Sequence, residues 1–348
     1  MLSVAILLAW CMCVDSFTTG VSMGGYTSWR LGVATGLPSA ASASLIGEEK
    51  VASGEREEIK SLPWSSSINK ERDLVYMPML EDQLHVMKGL GMESVPVDDA
   101  FTFRASTVKP ARIGNMCFKN DIFRNVRMTY FDADDKVQVY NSLWYPNYKY
   151  DLPLLGIDLI SLGPKRVLTV VDFQPLHPSE EYSAKYIDHL GDTRGKYPNL
   201  QGTLSGKIYD DTSFFSNQML FGRFQDESAV STEVRPAFND YLNAYISLAL
   251  QATPNEDPAF MAQVKTRQAA YDEYSAAKDP AVGLFDAYFG KEWSADFVHE
   301  FLFTLTSQME DGGEAQDSAA APPTMAHNFK IHSSGSVTIG TKPENKKE

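Results

Sequence analysis

Two pairs of strand-like runs, each joined by a very short turn, constrain the fold of this chain more than any other feature. Val126-Arg-Met-Thr-Tyr-Phe131 and Lys136-Val-Gln-Val-Tyr-Asn-Ser-Leu-Trp144 flank the acidic stretch Asp132-Ala-Asp-Asp135. Asp158–Leu162 and Arg166–Phe173 flank Gly163-Pro164. The runs are rich in β-branched and aromatic residues, and the residues between them favour turns. Connections this short join antiparallel neighbours, because a parallel pair needs a crossover of a dozen or more residues. Phe214–Phe224 is a further candidate strand. Helical spacing lies on either side of these runs. Met77–Leu90 carries Leu80, Leu84, Met87 and Leu90, and Gly89 and Gly91 end it. After Val234 the residues Phe238, Leu242, Tyr245, Leu248 and Ala249 recur at a spacing of three to four. Phe260–Ala277, Ala281–Tyr288 and Trp293–Leu302 continue the helical pattern. Helices before and after one antiparallel sheet predict an α/β protein, a three-layer α/β/α sandwich with helices on both faces.

The first sixty residues read as a leader. Met1–Val14 is an apolar run of signal-peptide length, too short to span a membrane comfortably. From Ser16-Phe17 the chain is rich in Ser, Thr, Ala and Gly, and it carries Arg30 but no acid before Glu48. That composition is expected of a transit peptide. The pair resembles the bipartite leaders of algae with complex plastids, so a plastid stroma is the expected destination; a plain secretory signal is the other reading. The expected organisation is a signal peptide over 1–16, a transit peptide over 17–60 and a folded domain over 61–307. A low-complexity tail over 308–348 follows, expected to lack a packed core.

Composition excludes several functions. The net charge is −14, and the first fifty residues contribute only Asp15, Glu48 and Glu49 to the acids. The folded part is therefore acidic too, which argues against nucleic-acid binding. Cys117 is the only cysteine outside the leader, so no disulfide framework exists within the domain and a reducing compartment fits. No two of the six histidines stand four apart and no Cys-x-x-Cys occurs, which argues against a structural zinc site. Gly-x-Gly-x-x-Gly, Walker and Gly-x-Ser-x-Gly signatures are absent.

Two carboxylates stand in apolar frames. Asp158 follows Leu154-Leu-Gly-Ile157, and Asp279 precedes Pro280-Ala-Val-Gly-Leu-Phe285. Burial raises a carboxyl pKa, so each can hold and deliver a proton near neutral pH. Plainer readings also apply. Asp158 can face water at a strand mouth, and Asp-Pro is an ordinary helix start with Asp as the cap.

Six motifs occur in order along the chain. They are Leu152-Pro-Leu-Leu-Gly-Ile-Asp158, Val170-Val-Asp-Phe-Gln-Pro175-Leu, Phe214-Phe-Ser-Asn-Gln-Met-Leu-Phe-Gly-Arg223, Lys278-Asp-Pro-Ala-Val-Gly-Leu-Phe285, Phe289-Gly-Lys-Glu-Trp293 and His299-Glu-Phe-Leu-Phe303. Together they resemble the ferredoxin-dependent bilin reductases. Glu181–Leu190, Lys196–Gly202 and Phe289–Trp293 are similar to the branch that makes 15,16-dihydrobiliverdin. Met79–Pro96 and Arg235–Leu242 look more like the phycoerythrobilin-forming branch.

The resemblance implies that biliverdin IXα lies between the sheet and the C-terminal helices. It implies electrons taken singly from reduced ferredoxin, with no bound metal, flavin or nicotinamide. Asp158 and Asp279 are then the proton donors. At Asn141 the phycocyanobilin-forming branch has a histidine; an amide does not titrate near neutral pH and positions the bilin or a water. That departure points to reduction at the C15=C16 bridge. The product would pass to a second reductase. The alternatives are that second-step enzyme itself or, further off, a non-catalytic bilin carrier.

Arg223 is a candidate propionate clamp, and Lys278 a second substrate contact. The stretch from Arg104 to Arg127 is basic, with Asp121 its one acid. Arg124 and Arg127 in it are candidate docking residues for acidic ferredoxin. Trp144, Tyr145, Phe173 and Phe215 are expected in the core, with one or two free to flank a bilin.

Overall fold

The computed structural model describes residues 62–203, 214–279 and 281–306, with the backbone of Phe329–Ile331 and Val337–Ile339. The expected leader segments 1–16 and 17–60 lie outside the described residues. The chain divides into a unit over Met1–Met309 and a second over Glu310–Glu348. In the second unit Phe329–Ile331 pairs antiparallel with Val337–Ile339.

The first unit is built on a sheet whose strands are β1 (Glu93–Val95), β2 (Phe103–Ala105), β3 (Arg112–Lys119), β4 (Phe123–Ala133), β5 (Val137–Pro146), β6 (Leu154–Ser161), β7 (Val167–Gln174) and β8 (Leu220–Phe224). Their order is β1-β3-β4-β5-β6-β7-β8, with β2 also on the β3 edge. Every ladder between them is antiparallel. The helices are α1 (Met77–Gly89), α2 (Asp99–Thr102), α3 (Glu180–Tyr186), α4 (Gly191–Gly195), α5 (Arg235–Gln251), α6 (Pro258–Lys278), α7 (Ala281–Phe289) and α8 (Lys291–Asp296).

Both faces of the sheet are covered. Side chains alternate along each strand. Met128, Tyr130, Tyr140, Trp144, Ile157 and Phe173 pack with Met79, Leu80 and Met87 of α1 and Phe238, Tyr241 and Tyr245 of α5. The other face sends Ile113, Phe131, Leu143 and Tyr145 against Tyr271, Leu284, Phe285 and Phe297. Each fully buried large apolar side chain contributes about 1.5–3 kcal/mol, so this two-sided burial fixes the strand register. The expected sandwich is the observed one.

Two expected elements differ. The run Phe214–Phe224 becomes a strand only at Leu220. Phe214 has φ 61°, a left-handed conformation that a β-strand residue does not adopt. Ser216 then donates from its backbone N (2.8 Å) and Oγ (2.5 Å) to Asp172. The connection is thus bent and tied to β7. Between β4 and β5 the turn is shorter than expected. Asp132 belongs to β4 and is fully buried, where it accepts from Ser67 Oγ (3.1 Å), Ile68 N (2.8 Å) and Arg112 Nη2 (3.0 Å). It holds the N-terminal segment to the sheet, and Asp134 at φ 57° makes the reversal.

Candidate active site

Strand register brings together polar side chains on the face covered by α6 and α7. Thr129 lies opposite Asn141, Asn141 opposite Asp158, and Asp158 opposite Val170. Cross-strand partners share a face, and Arg127, two residues before Thr129, shares it too. Arg127 Nη1 donates to Asn141 Oδ1 at 2.5 Å. Asn141 Nδ2 donates to Asp158 Oδ1 at 2.5 Å. One amide therefore links a guanidinium to a carboxyl across three central strands.

The facing wall comes from α6 and the segments around it. Tyr271, Tyr274, Ser275, Asp279, Phe214 and Phe303 enclose, with the sheet residues, a cleft of 450 Å³ counting its solvent-open part. Asp279 follows the last residue of α6, and its Oδ1 accepts from the N–H of Ala281, the first residue of α7, at 2.8 Å, so it caps the start of α7. It is both the cap that its Asp-Pro context suggests and a wall of the cleft opposite Asp158. A larger hollow of 1270 Å³, counted the same way, lies elsewhere around Arg72 and Glu227. Those two side chains already form an ion pair, and neither Asp158 nor Asp279 lines that hollow, whereas both line the smaller cleft.

Burial pushes the Asp158 carboxyl up to about 7; the charge of Asp279 adds to the rise, and the Asn141 hydrogen bond and Arg127 partly offset it. Burial also raises Asp279, against the Ala281 N–H and Arg127. Two carboxyls around one small cleft cannot both ionise cheaply, so the pair holds a proton near neutral pH. A site of this kind can donate protons to a bound molecule.

Three further contacts shape the walls. A Cβ on Gly156 would stand 2.6 Å from Gln174 Oε1. Only glycine lets Gln174 lie flat on the sheet, where its Oε1 accepts from Tyr271 OH at 2.7 Å. Asp172 is fully buried on this same face, its carboxyl pushed up to about 7 by burial against the two Ser216 hydrogen bonds. It ties Phe214 and Phe215 over the cleft. Asp272 accepts from Tyr145 OH (2.6 Å) and Leu305 N (3.0 Å) and so positions Phe303.

The candidate residues separate into two groups. Asp158, Asp279 and Asn141 meet in the cleft. Arg223 is exposed on β8; it is opposite Leu168, so it shares the face of Asp158 but does not line the cleft. Lys278 is exposed on the last turn of α6, also outside the lining. The docking assignment of Arg127 is wrong. Its side chain is 2% exposed because β4 is a central strand with both faces covered. Arg124 is half-buried; its Nε donates to Gln268 Oε1 at 2.7 Å and its guanidinium lies 4.4 Å from the Tyr145 ring centroid. Its guanidinium is thus packed against α6 and the Tyr145 ring. Trp144, Tyr145 and Phe173 are buried as expected, whereas Phe215 lines the cleft. Gln174, Tyr271 and Ser275 escaped the sequence reading, since only the tertiary approach of α6 to β7 gives them a common location.

A family model described as ferredoxin-dependent bilin reductase matches residues 81–304. The chain belongs to this family. It is accordingly an oxidoreductase, a ferredoxin-dependent bilin reductase. A relative from Nostoc punctiforme named 15,16-dihydrobiliverdin:ferredoxin oxidoreductase is 42% identical over 228 residues, 66% of this chain and 93% of its own. One of the same name from Gloeobacter violaceus is 38% identical over 232 residues, 66% of this chain and 95% of its own. The crystal structure of phytochromobilin synthase from tomato in complex with biliverdin aligns with a TM-score of 0.63 at 22% identity, covering 69% of this chain and 85% of that one. That likeness is one of fold.

Proposed function

We propose that this bilin reductase converts biliverdin IXα to 15,16-dihydrobiliverdin. The observation that carries the reading is the pairing of Asp158 and Asp279 around one cleft, both with raised proton affinity. The names of the relatives support the choice of bond. Two reduced ferredoxins each give one electron. The two electrons and two protons saturate C15=C16, with one hydrogen added at each carbon. Asp158 and Asp279 supply the protons and are recharged from solvent through the open side of the cleft. Asn141, held by Arg127, orients the Asp158 carboxyl toward the bilin. The reaction needs no resident metal, flavin or nicotinamide, and the product passes to a second reductase that reduces the A-ring diene. The acid-poor leader supports delivery to a plastid.

The test is an anaerobic reaction of residues 61–348 with biliverdin IXα and reduced ferredoxin, followed by absorbance and chromatography. Conversion to dihydrobiliverdin alone is the expected result. Conversion only of added dihydrobiliverdin would assign the second step instead, and binding without consumption of electrons would leave a carrier.

A further inference from the structure

Arg127 is an unusual cation. It is 2% exposed, lines the cleft and has no carboxylate among its hydrogen-bond partners within the described residues. Its Nη1 bonds a neutral amide, Asn141, at 2.5 Å. Its guanidinium lies 5.4 Å from the centroid of the Phe303 ring. Its Nε is buried and has no acceptor among the described residues. Burying an unpaired charge is costly, and one amide oxygen with one ring face offsets only part of that cost.

Neither of the two acids that line the cleft with it, Asp158 and Asp279, hydrogen-bonds it among the described residues. The titratable groups that feel its charge are Asp158 on β6, Asp279 and Asp272 with Tyr271 at and on α6, Tyr145 on β5 and Cys117 on β3. Burial pushes every one of them toward its protonated form. Asp272 is not among the lining residues, and with Asp158 and Asp279 in the protonated form that proton donors need, the cleft carries the positive charge of Arg127. A guanidinium stays charged at any working pH. The site is therefore most favourable to a ligand that becomes negative while bound.

We infer that Arg127 is the electrostatic residue that stabilises the bilin after the first electron has arrived and before a proton follows it. The inference rests on the proposed reduction of biliverdin. The first ferredoxin electron turns the uncharged tetrapyrrole system of the bilin, its propionates apart, into a radical anion, and transfer of the proton from an aspartic acid then makes that system a neutral radical. A second electron and proton complete the product. A fixed positive charge in a site of low dielectric constant favours the anionic stage without reorganising.

The experiment compares wild type, Arg127→Gln and Arg127→Lys with bound biliverdin under anaerobic conditions. In the wild type, bound biliverdin should take its first electron at a potential about 59 mV or more above free biliverdin, tenfold in the one-electron equilibrium. Arg127→Gln should bind biliverdin with nearly unchanged Kd but slow the first-electron step by about tenfold or more, and Arg127→Lys should recover most of that loss. The alkaline limb of kcat should also move to higher pH in Arg127→Gln, because the cation that lowers the Asp158 pKa is gone. Weakened binding with an unchanged rate would overturn the inference and make Arg127 a propionate anchor. If Arg127→Gln does not fold, the wild-type potential decides, and no rise over free biliverdin overturns the inference. Wild-type protein that binds but never reduces any bilin would refute the proposed function itself, an outcome visible without any variant.

Discussion

At the residue scale, Asp158 holds its proton through burial in a cleft that also contains a second acid. Asp158→Asn should retain bilin binding, since the amide fits the same place, but lower product formation by about 10²-fold or more. Normal turnover in that variant would remove Asp158 from the proton-donor role. In the wild type kcat should fall above about pH 7 as Asp158 ionises, which a pH–rate profile reads directly. Asp279 caps its helix as well as lining the cleft. Asn is also a good cap, so Asp279→Asn should change stability by only a few tenths of a kcal/mol while turnover drops. Urea unfolding alongside the assay separates the two effects. The capping reading of the Asp-Pro dipeptide and a place in the cleft thus belong to the same side chain.

At the element scale, the cleft depends on how β6, β7 and α6 approach one another. Gly156 leaves the space that Gln174 occupies, and Gln174 in turn meets Tyr271 of α6. Gly156→Ala should displace the Gln174 amide and break that bond. A stability loss of about 1 kcal/mol is expected from the hydrogen bond, with a several-fold rise in the Kd for biliverdin, measured by absorbance titration. Unchanged affinity would mean that Gln174 does not shape the bilin site. The same scale explains the fate of the basic stretch. Its sequence reads as a charged patch, but Arg127 occupies an inward position of a central strand and Arg124 lies over Tyr145 and Tyr148. Arg124→Glu should therefore destabilise the fold instead of selectively weakening ferredoxin at low salt, a distinction that melting curves and salt-dependent turnover make together.

At the scale of the whole molecule, buried acids give stability a particular pH dependence. Asp158 and Asp172 are raised to about 7 and Asp272 to about 6, all chiefly by burial. A carboxyl whose folded pKa lies above its unfolded value binds more protons in the folded state. Its contribution is full below about pH 4 and is lost as pH rises toward 6–7. Asp82, lowered by its bond to Arg235, acts in the opposite sense at lower pH. The net expectation is a melting temperature that declines between about pH 5 and 7. Asp172→Asn should flatten that decline, with a difference on the order of 1 kcal/mol between the ends of the range. An unchanged slope in that variant would show that Asp172 is not a source of the decline.

The sequence by itself determined the architecture. Period-two runs around very short turns permit only antiparallel neighbours, and helical spacing before and after them requires cover on both faces. It also singled out Asp158 and Asp279 by their apolar neighbours, and Asn141 through the family resemblance, because neighbours and ordered motifs are local properties of the chain. Tertiary structure decided which side chains share a place. Whether an arginine in a basic stretch faces solvent or a cleft depends on whether its strand is central and what covers it. The bend at Phe214 likewise depends on a distant partner, Asp172. So does the meeting of Gly156, Gln174 and Tyr271. Local patterns carry backbone preferences and burial tendencies. They carry no information about which two segments, far apart in the chain, pack into contact, and that contact sets the charge and the walls of the cleft.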